Sequence, residues 1–106
     1  RSLAEVEVTG PVAALGGRVV HGTVDLLSVT PDKVVVIDYK SNLGVPATPD
    51  AVPEGILRQM GAYDAILSQT FPGRSVETAI LWTRTGLLMP LPPDIVRAAL
   101  ARTTIP

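Results

Sequence analysis

The segment that most constrains the fold is Val34-Val35-Val36-Ile37, a β-branched run preceded by Thr30-Pro31-Asp32-Lys33. Branching at Cβ favours the pleated strand over the helix. Pro-Asp at the centre of the preceding four residues is tight-turn chemistry. Arg18 to Val29 also reads as a strand, so the two segments form an antiparallel hairpin. With the turn centred on Pro31-Asp32, Val29 faces Val34 and Asp25 falls opposite Asp38. Side chains alternate along a strand, which places Lys40 on the face of Asp38.

Two carboxylates opposed across a hairpin repel one another, with β-carbons only about 4.5–5.5 Å apart, and Asp is a poor strand former. A lone Asp in a strand is usually a wet end residue, and an Asp–Lys pair is usually a solvated face. Val36, however, shares the face of Asp38 and belongs in a core. A divalent cation between the carboxylates resolves the conflict. Mg²⁺ takes hard oxygen ligands from one or two carboxylates and completes its shell with water and phosphate oxygens. Such an ion activates water and offsets charge in phosphoryl chemistry. Lys40 beside it is suited to orient that water or to balance developing negative charge. His21 shares the parity of Asp25 and could serve as a third ligand or base. Mg²⁺ prefers oxygen to imidazole, so the structural reading of His21 is favoured.

Around this hairpin, Leu3-Ala4-Glu5-Val6-Glu7-Val8 reads as a strand that ends at the Gly10-Pro11 breaker, and Gly16-Gly17 as a turn. Ser41 to Pro53 is a proline-rich loop. Pro53-Glu54 opens a helix to about Gln69, with Ile56, Leu57, Met60, Tyr63, Ile66 and Leu67 on one apolar face. Phe71-Pro72-Gly73 stops it. Val76 to Thr83 reads as a strand, Gly86 to Met89 as a short partner, and Asp94 to Ala101 as a terminal helix. The order is β-β-β-α-β-β-α, an α/β arrangement.

Composition bounds the partners. The 106 residues suffice for one domain with one core, and 46% apolar against 18% charged content describes a folded segment. With no cysteine, disulfides and thiolate metal sites are excluded, which fits a cytoplasmic protein. No apolar run reaches the roughly 18–20 residues that span a bilayer. Nine basic residues against ten acidic give a net charge of −1, so an autonomous high-affinity DNA binder is not expected. If the substrate is nucleic acid, other parts of a larger enzyme hold it. The chain opens at Arg1 directly on strand-like sequence, which suggests a piece of something larger.

Gly22-Thr23-Val24-Asp25, followed by Val36-Ile37-Asp38-Tyr39-Lys40-Ser41-Asn42, resembles the two central motifs of the PD-(D/E)xK nucleases of the RecB type. Gln59-Met60-Gly61-Ala62-Tyr63 is similar to that family's Q-x-x-x-Y helix motif. Leu81-Trp82-Thr83 resembles the closing strand of the nuclease domain in AddA-type helicase–nucleases. The resemblance runs from about Leu3 to Leu91. It implies a restriction-endonuclease-like core, a mixed β-sheet flanked by helices. It further implies Mg²⁺-dependent (or Mn²⁺-dependent) hydrolysis of DNA, exonucleolytic in character, within an ATP-dependent helicase–nuclease of double-strand-break repair and recombination. The implied partners are DNA, a helicase motor in the same polypeptide and a second subunit of AddB-like type.

Residue by residue, the resemblance makes Asp25 and Asp38 metal ligands and Lys40 the catalytic lysine. Glu5 matches the acidic residue of the first strand, with Glu7 as the competing choice. Gln59 and Tyr63, at i and i+4 on one helix face, would line the site and contact DNA backbone or steady the lysine. Core packing is the alternative for Tyr63. Three departures stand against the pattern. Leu26 occupies the place of a common arginine, the first helix of the family core is missing, and so is the motor. Loss of the first helix would leave apolar surface exposed. A catalytically inactive nuclease fold, kept for DNA guiding or subunit docking, is the competing function.

Overall fold

A computed structural model describes residues 1–103. Five strands form one mixed sheet in the order β1-β2-β3-β4-β5. They are β1 (Ser2–Val12), β2 (Arg18–Val29), β3 (Lys33–Lys40), β4 (Ser75–Trp82) and β5 (Leu87–Leu91). Helix α1 (Glu54–Thr70) connects β3 to β4, and α2 (Pro93–Ala101) follows β5. β3 and β4 pair in parallel while every other neighbouring pair is antiparallel. A parallel pair needs a long crossover, which α1 supplies. The architecture is the expected α/β one: a mixed sheet flanked by helices, in the order read from the sequence. No helix precedes β1 among the described residues, and none of the helices is long and apolar enough to cross a membrane.

The core forms where the apolar stripe of α1 meets the sheet. Leu57, Met60, Tyr63, Ile66 and Leu67 are buried against Val34, Val36, Val76, Ile80 and Trp82. Trp82, Tyr63 and Met60 are the largest fully buried side chains. Each such burial contributes about 1.5–3 kcal/mol. α2 packs on α1 through Val96, Ala99 and Leu100. This contact is close because Gly61 has no side chain: a Cβ there would strike the carbonyl oxygen of Val96. The other sheet face carries Val35, Ile37, Ala79, Leu88 and Pro90, which line a groove of about 510 Å³.

Two expectations change. β1 does not stop at Gly10-Pro11 but continues to Val12, pairing Gly10 with Val20 and Pro11 with Val19. An edge strand tolerates proline, because one side of its backbone needs no ladder partner. Gly10 has a packing reason as well, since a Cβ there would stand 3.1 Å from the Ile66 side chain.

The second change is a switch of parity. Leu27 and Val24 are both buried although three residues apart, which a regular strand of period two forbids. The switch falls at Asp25, and on β1 at Glu5, whose φ of +53° is the sole positive value at a non-glycine residue among those described. Beyond this point Val8, Val12 and Val24 turn to the core, with Gly22 against Tyr63. His21 lies beyond this switch, so strand parity no longer ties it to the face of Asp25. It is exposed and bonds Thr9 Oγ1 through Nδ1 at 2.8 Å.

Candidate active site at the fork between two strands

The β2–β3 ladder runs from Val29↔Val34 to Leu26↔Ile37 and stops. The predicted register is correct, but regular pairing ends one step short of Asp25↔Asp38. At that step β2 leaves β3 and curls with β1 toward α1. The backbone of β3 at the fork would lose its ladder partner. Asp25 supplies a replacement: its Oδ2 accepts the Tyr39 N–H at 2.7 Å. A short acidic side chain thus sits in the strand because it caps the fork.

The two carboxyls are near enough there to shift each other's titration in opposite directions. Asp38 is 5% exposed. Burial, and then the hydrogen bond with Asp25, push its carboxyl above the ordinary range. Asp25 is held below it, first by the hydrogen bond with Asp38 and then by the Tyr39 N–H.

Lys40, also on β3, brings Nζ to 2.7 Å from Asp38 Oδ2. This contact compensates the charge of the buried Asp38 oxygen. Lys40 Nζ also donates to Gln59 Oε1 at 3.2 Å, and Gln59 Nε2 donates to the Tyr63 hydroxyl at 3.2 Å. The four-residue spacing on α1 puts Gln59 and Tyr63 one turn apart. The main chain of Lys40 is fixed too: its carbonyl accepts the N–H of Thr83 at 2.9 Å and the Thr83 hydroxyl at 3.2 Å.

Asp25, Asp38, Lys40, Gln59 and Tyr63 thus form one connected set built from β2, β3 and α1. Glu5 and Glu7 are exposed. Among the described residues, no three His, Cys, Asp or Glu side chains converge as a metal-holding group, so Glu5 is not brought to the aspartates. Tyr63 answers both readings: it is 2% exposed, packed in the core, and its hydroxyl belongs to the site. The sequence reading missed Gly22 and Thr83. A Cβ on Gly22 would occupy the space of the Tyr63 hydroxyl, and a glycine inside a strand is the signal of such an approach. No comparable signal marks Thr83.

The donor set fits a divalent cation. Two adjacent carboxyls, Asp38 buried and Asp25 partly exposed, offer the hard oxygen ligands that Mg²⁺ takes from protein. Asp25 and Asp38 are the residues placed to hold it.

The sequence profile described as the PD-(D/E)XK nuclease superfamily matches residues 1–94. The chain belongs to that superfamily, whose members are generally nucleases that use divalent metals. Among solved structures it is similar to one titled "Crystal structure of SSO0001", at 18% identity and a TM-score of 0.56. That likeness covers 92% of this chain and 47% of the other, so the chain spans about half the length of that relative. It supports the fold. No curated protein matches the chain.

Proposed function

We propose that this chain is the nuclease domain of an AddA-type, RecB-like helicase–nuclease, hydrolysing DNA phosphodiesters with Mg²⁺ (or Mn²⁺) held by Asp25 and Asp38. The observation that carries the reading is the fork: a buried Asp38 carboxyl beside a second carboxylate and paired with Lys40 at 2.7 Å. The bound cation would neutralise the paired carboxylates, activate water and withdraw charge from the phosphate. Everything else falls to the chain's own residues. Tyr63, wedged against Gly22, fixes Gln59, and Gln59 Oε1 fixes Lys40 Nζ. Lys40 is thereby aimed along the Asp38 edge of the site. There it orients the attacking water or balances negative charge as the P–O bond breaks. Gln59 and Tyr63 act as positioning residues. Unwinding by a motor in the same polypeptide would deliver the strand, which accounts for a domain with net charge −1. The 106 residues would then be one domain of a longer enzyme acting in double-strand-break repair, with an AddB-like second subunit.

In the full-length enzyme, Asp38→Ala should abolish cleavage and leave ATP-driven unwinding intact. Cleavage that persists, with any partner nuclease disabled, would refute the assignment.

A second reading is favoured by two observations: Glu5 lies outside the acidic pair, and Leu26 follows Asp25 where the family often has arginine. In that reading the fold guides DNA or docks a subunit without cutting. Calorimetry separates the two. Absence of Mg²⁺ and Mn²⁺ binding, with Asp25→Ala neutral or stabilising, would select the inactive form.

A further inference from the structure

Beside the fork lies a cleft of about 290 Å³, lined by Val20, His21, Gly55, Arg58, Gln59 and Tyr63 among others. It is continuous with the site, because Gln59 and Tyr63, which hold Lys40, form part of its wall. Arg58 is the next residue of α1 and is half-buried. Its guanidinium folds back toward the start of the helix, with Nη2 3.7 Å from where a Cβ on Gly55 would stand. Arg97 and Arg102 are committed to Asp64 and Glu54, and Arg74 to the ring of Phe71. Arg58, by contrast, makes no hydrogen bond or ion pair with the described residues. Glu54, the carboxylate that feels its charge, is bonded to Arg102 through both oxygens.

Arg58 thus keeps its guanidinium N–H donors for solvent or for a ligand in the cleft. Its planar fork matches phosphate oxygens. Two further features favour an anion. No side-chain hydrogen bond caps the first turn of α1, and its acidic residue, Glu54, is held by Arg102, which leaves the amide end of the helix at Gly55 to a ligand. On the rim, His21 uses Nδ1 for Thr9 and keeps Nε2 without a partner among the described residues.

We infer that this cleft holds a phosphate of a single-stranded DNA substrate adjacent to the one cut at the fork. Arg58 is its anchor and His21 lies at its rim. The inference rests on the nuclease reading. A single strand is specified because, in the proposed function, unwinding delivers one strand to this site. The site supplies local positive charge that the overall balance of the chain lacks.

The test uses a fluorescent oligodeoxynucleotide and the full chain in a Lys40→Ala background, where binding is read without cutting. Arg58→Ala should raise Kd about tenfold. It should also lower the slope of log affinity against log salt by about 0.7, the loss of one phosphate contact on a single strand. Arg58→Lys should restore the slope but only part of the affinity. Gly55→Asp is an independent variant. Its Cβ would make only ordinary contact with Arg58, and an acidic first turn suits a helix, yet its carboxylate should repel phosphate and raise Kd comparably. With Lys40 intact, Arg58→Ala should raise KM more than it lowers kcat. Unchanged Kd, salt slope and KM in both variants, with normal cleavage by the unsubstituted chain, would overturn the inference and leave the nuclease reading standing. A loss of duplex but not single-strand affinity would overturn the substrate assigned. Metal binding with no cleavage by the full-length enzyme, its own site unsubstituted and any partner nuclease disabled, would overturn both readings.

Discussion

Asp38 sits where fold and chemistry make opposite demands. The parallel register places it beside Ile80, a fully buried residue, so the strand wants an apolar side chain there. It carries instead a carboxyl that burial and Asp25 push upward in pKa. In the metal-free protein that shift has a defined consequence for stability. A carboxyl whose pKa is higher folded than unfolded binds more protons in the folded state. Its contribution is present below the unfolded value and lost as pH rises through the folded one. Asp25, shifted down, behaves in the opposite sense: its contribution is present above the unfolded value and lost as pH falls. Asp38→Asn removes the first dependence. In urea titrations with chelator, the stability of Asp38→Asn relative to the parent should therefore grow as pH rises from acid through neutrality. Adding Mn²⁺ should narrow that gap, because the cation stabilises the parent by binding its folded state. A gap independent of pH would show that Asp38 does not carry the raised pKa. Strand spacing was enough to bring Asp25, Asp38 and Lys40 to one place. It could not show that Asp25 would serve the Tyr39 N–H, because that role exists only where the ladder breaks.

The elements divide into a rigid unit and a ribbon. β3, α1 and β4 form the unit, tied by the parallel pairing and by the apolar stripe of α1. β1 and β2 form a two-stranded ribbon that stays with β3 up to Leu26 and then swings toward α1. The switch at Glu5 and Asp25 makes both halves possible, presenting Leu27 to the core on one side and Val24 and Val8 on the other. Alternation of apolar and polar residues is read from a sequence as if strands were regular. A parity switch breaks the pattern without changing composition, so alternation cannot carry a face from Asp25 back to His21. α2 is secured to α1 by a different device. Asp64, 3% exposed, accepts Arg97 Nε at 2.8 Å, while the arginine side chain is 59% exposed. Removing the exposed partner strands a buried charge, whereas removing the buried partner frees an arginine into water. Arg97→Ala should thus cost about 2–4 kcal/mol and Asp64→Ala about 1 kcal/mol or less in chemical denaturation. Equal costs would mean the pair contributes only as a surface ion pair does.

At the scale of the molecule, one core joins the ribbon, the unit and α2: Val8, Val24, Ile80, Trp82 and Leu100 belong to the same buried cluster. Unfolding should accordingly be a single transition. Trp82, the one tryptophan and fully buried, reports on the core. Its fluorescence should change at the same urea concentration as the far-ultraviolet dichroism. Separate midpoints would show that the β1–β2 ribbon detaches before the unit melts, and the fork with it. The sequence by itself determined the element order, the turn at Pro31-Asp32, the hairpin register and the spacing of Gln59 and Tyr63. These are properties of neighbours along the chain, set by β-branching, turn chemistry and helical period. The tertiary structure decided where β2 leaves β3, which face His21 and Glu5 take, and that Gly22 admits Tyr63. It also decided that Arg58 faces a cleft with no hydrogen-bond or ion-pair partner among the described residues. Each of those depends on segments far apart in sequence competing for the same space, and no local pattern records the outcome of that competition.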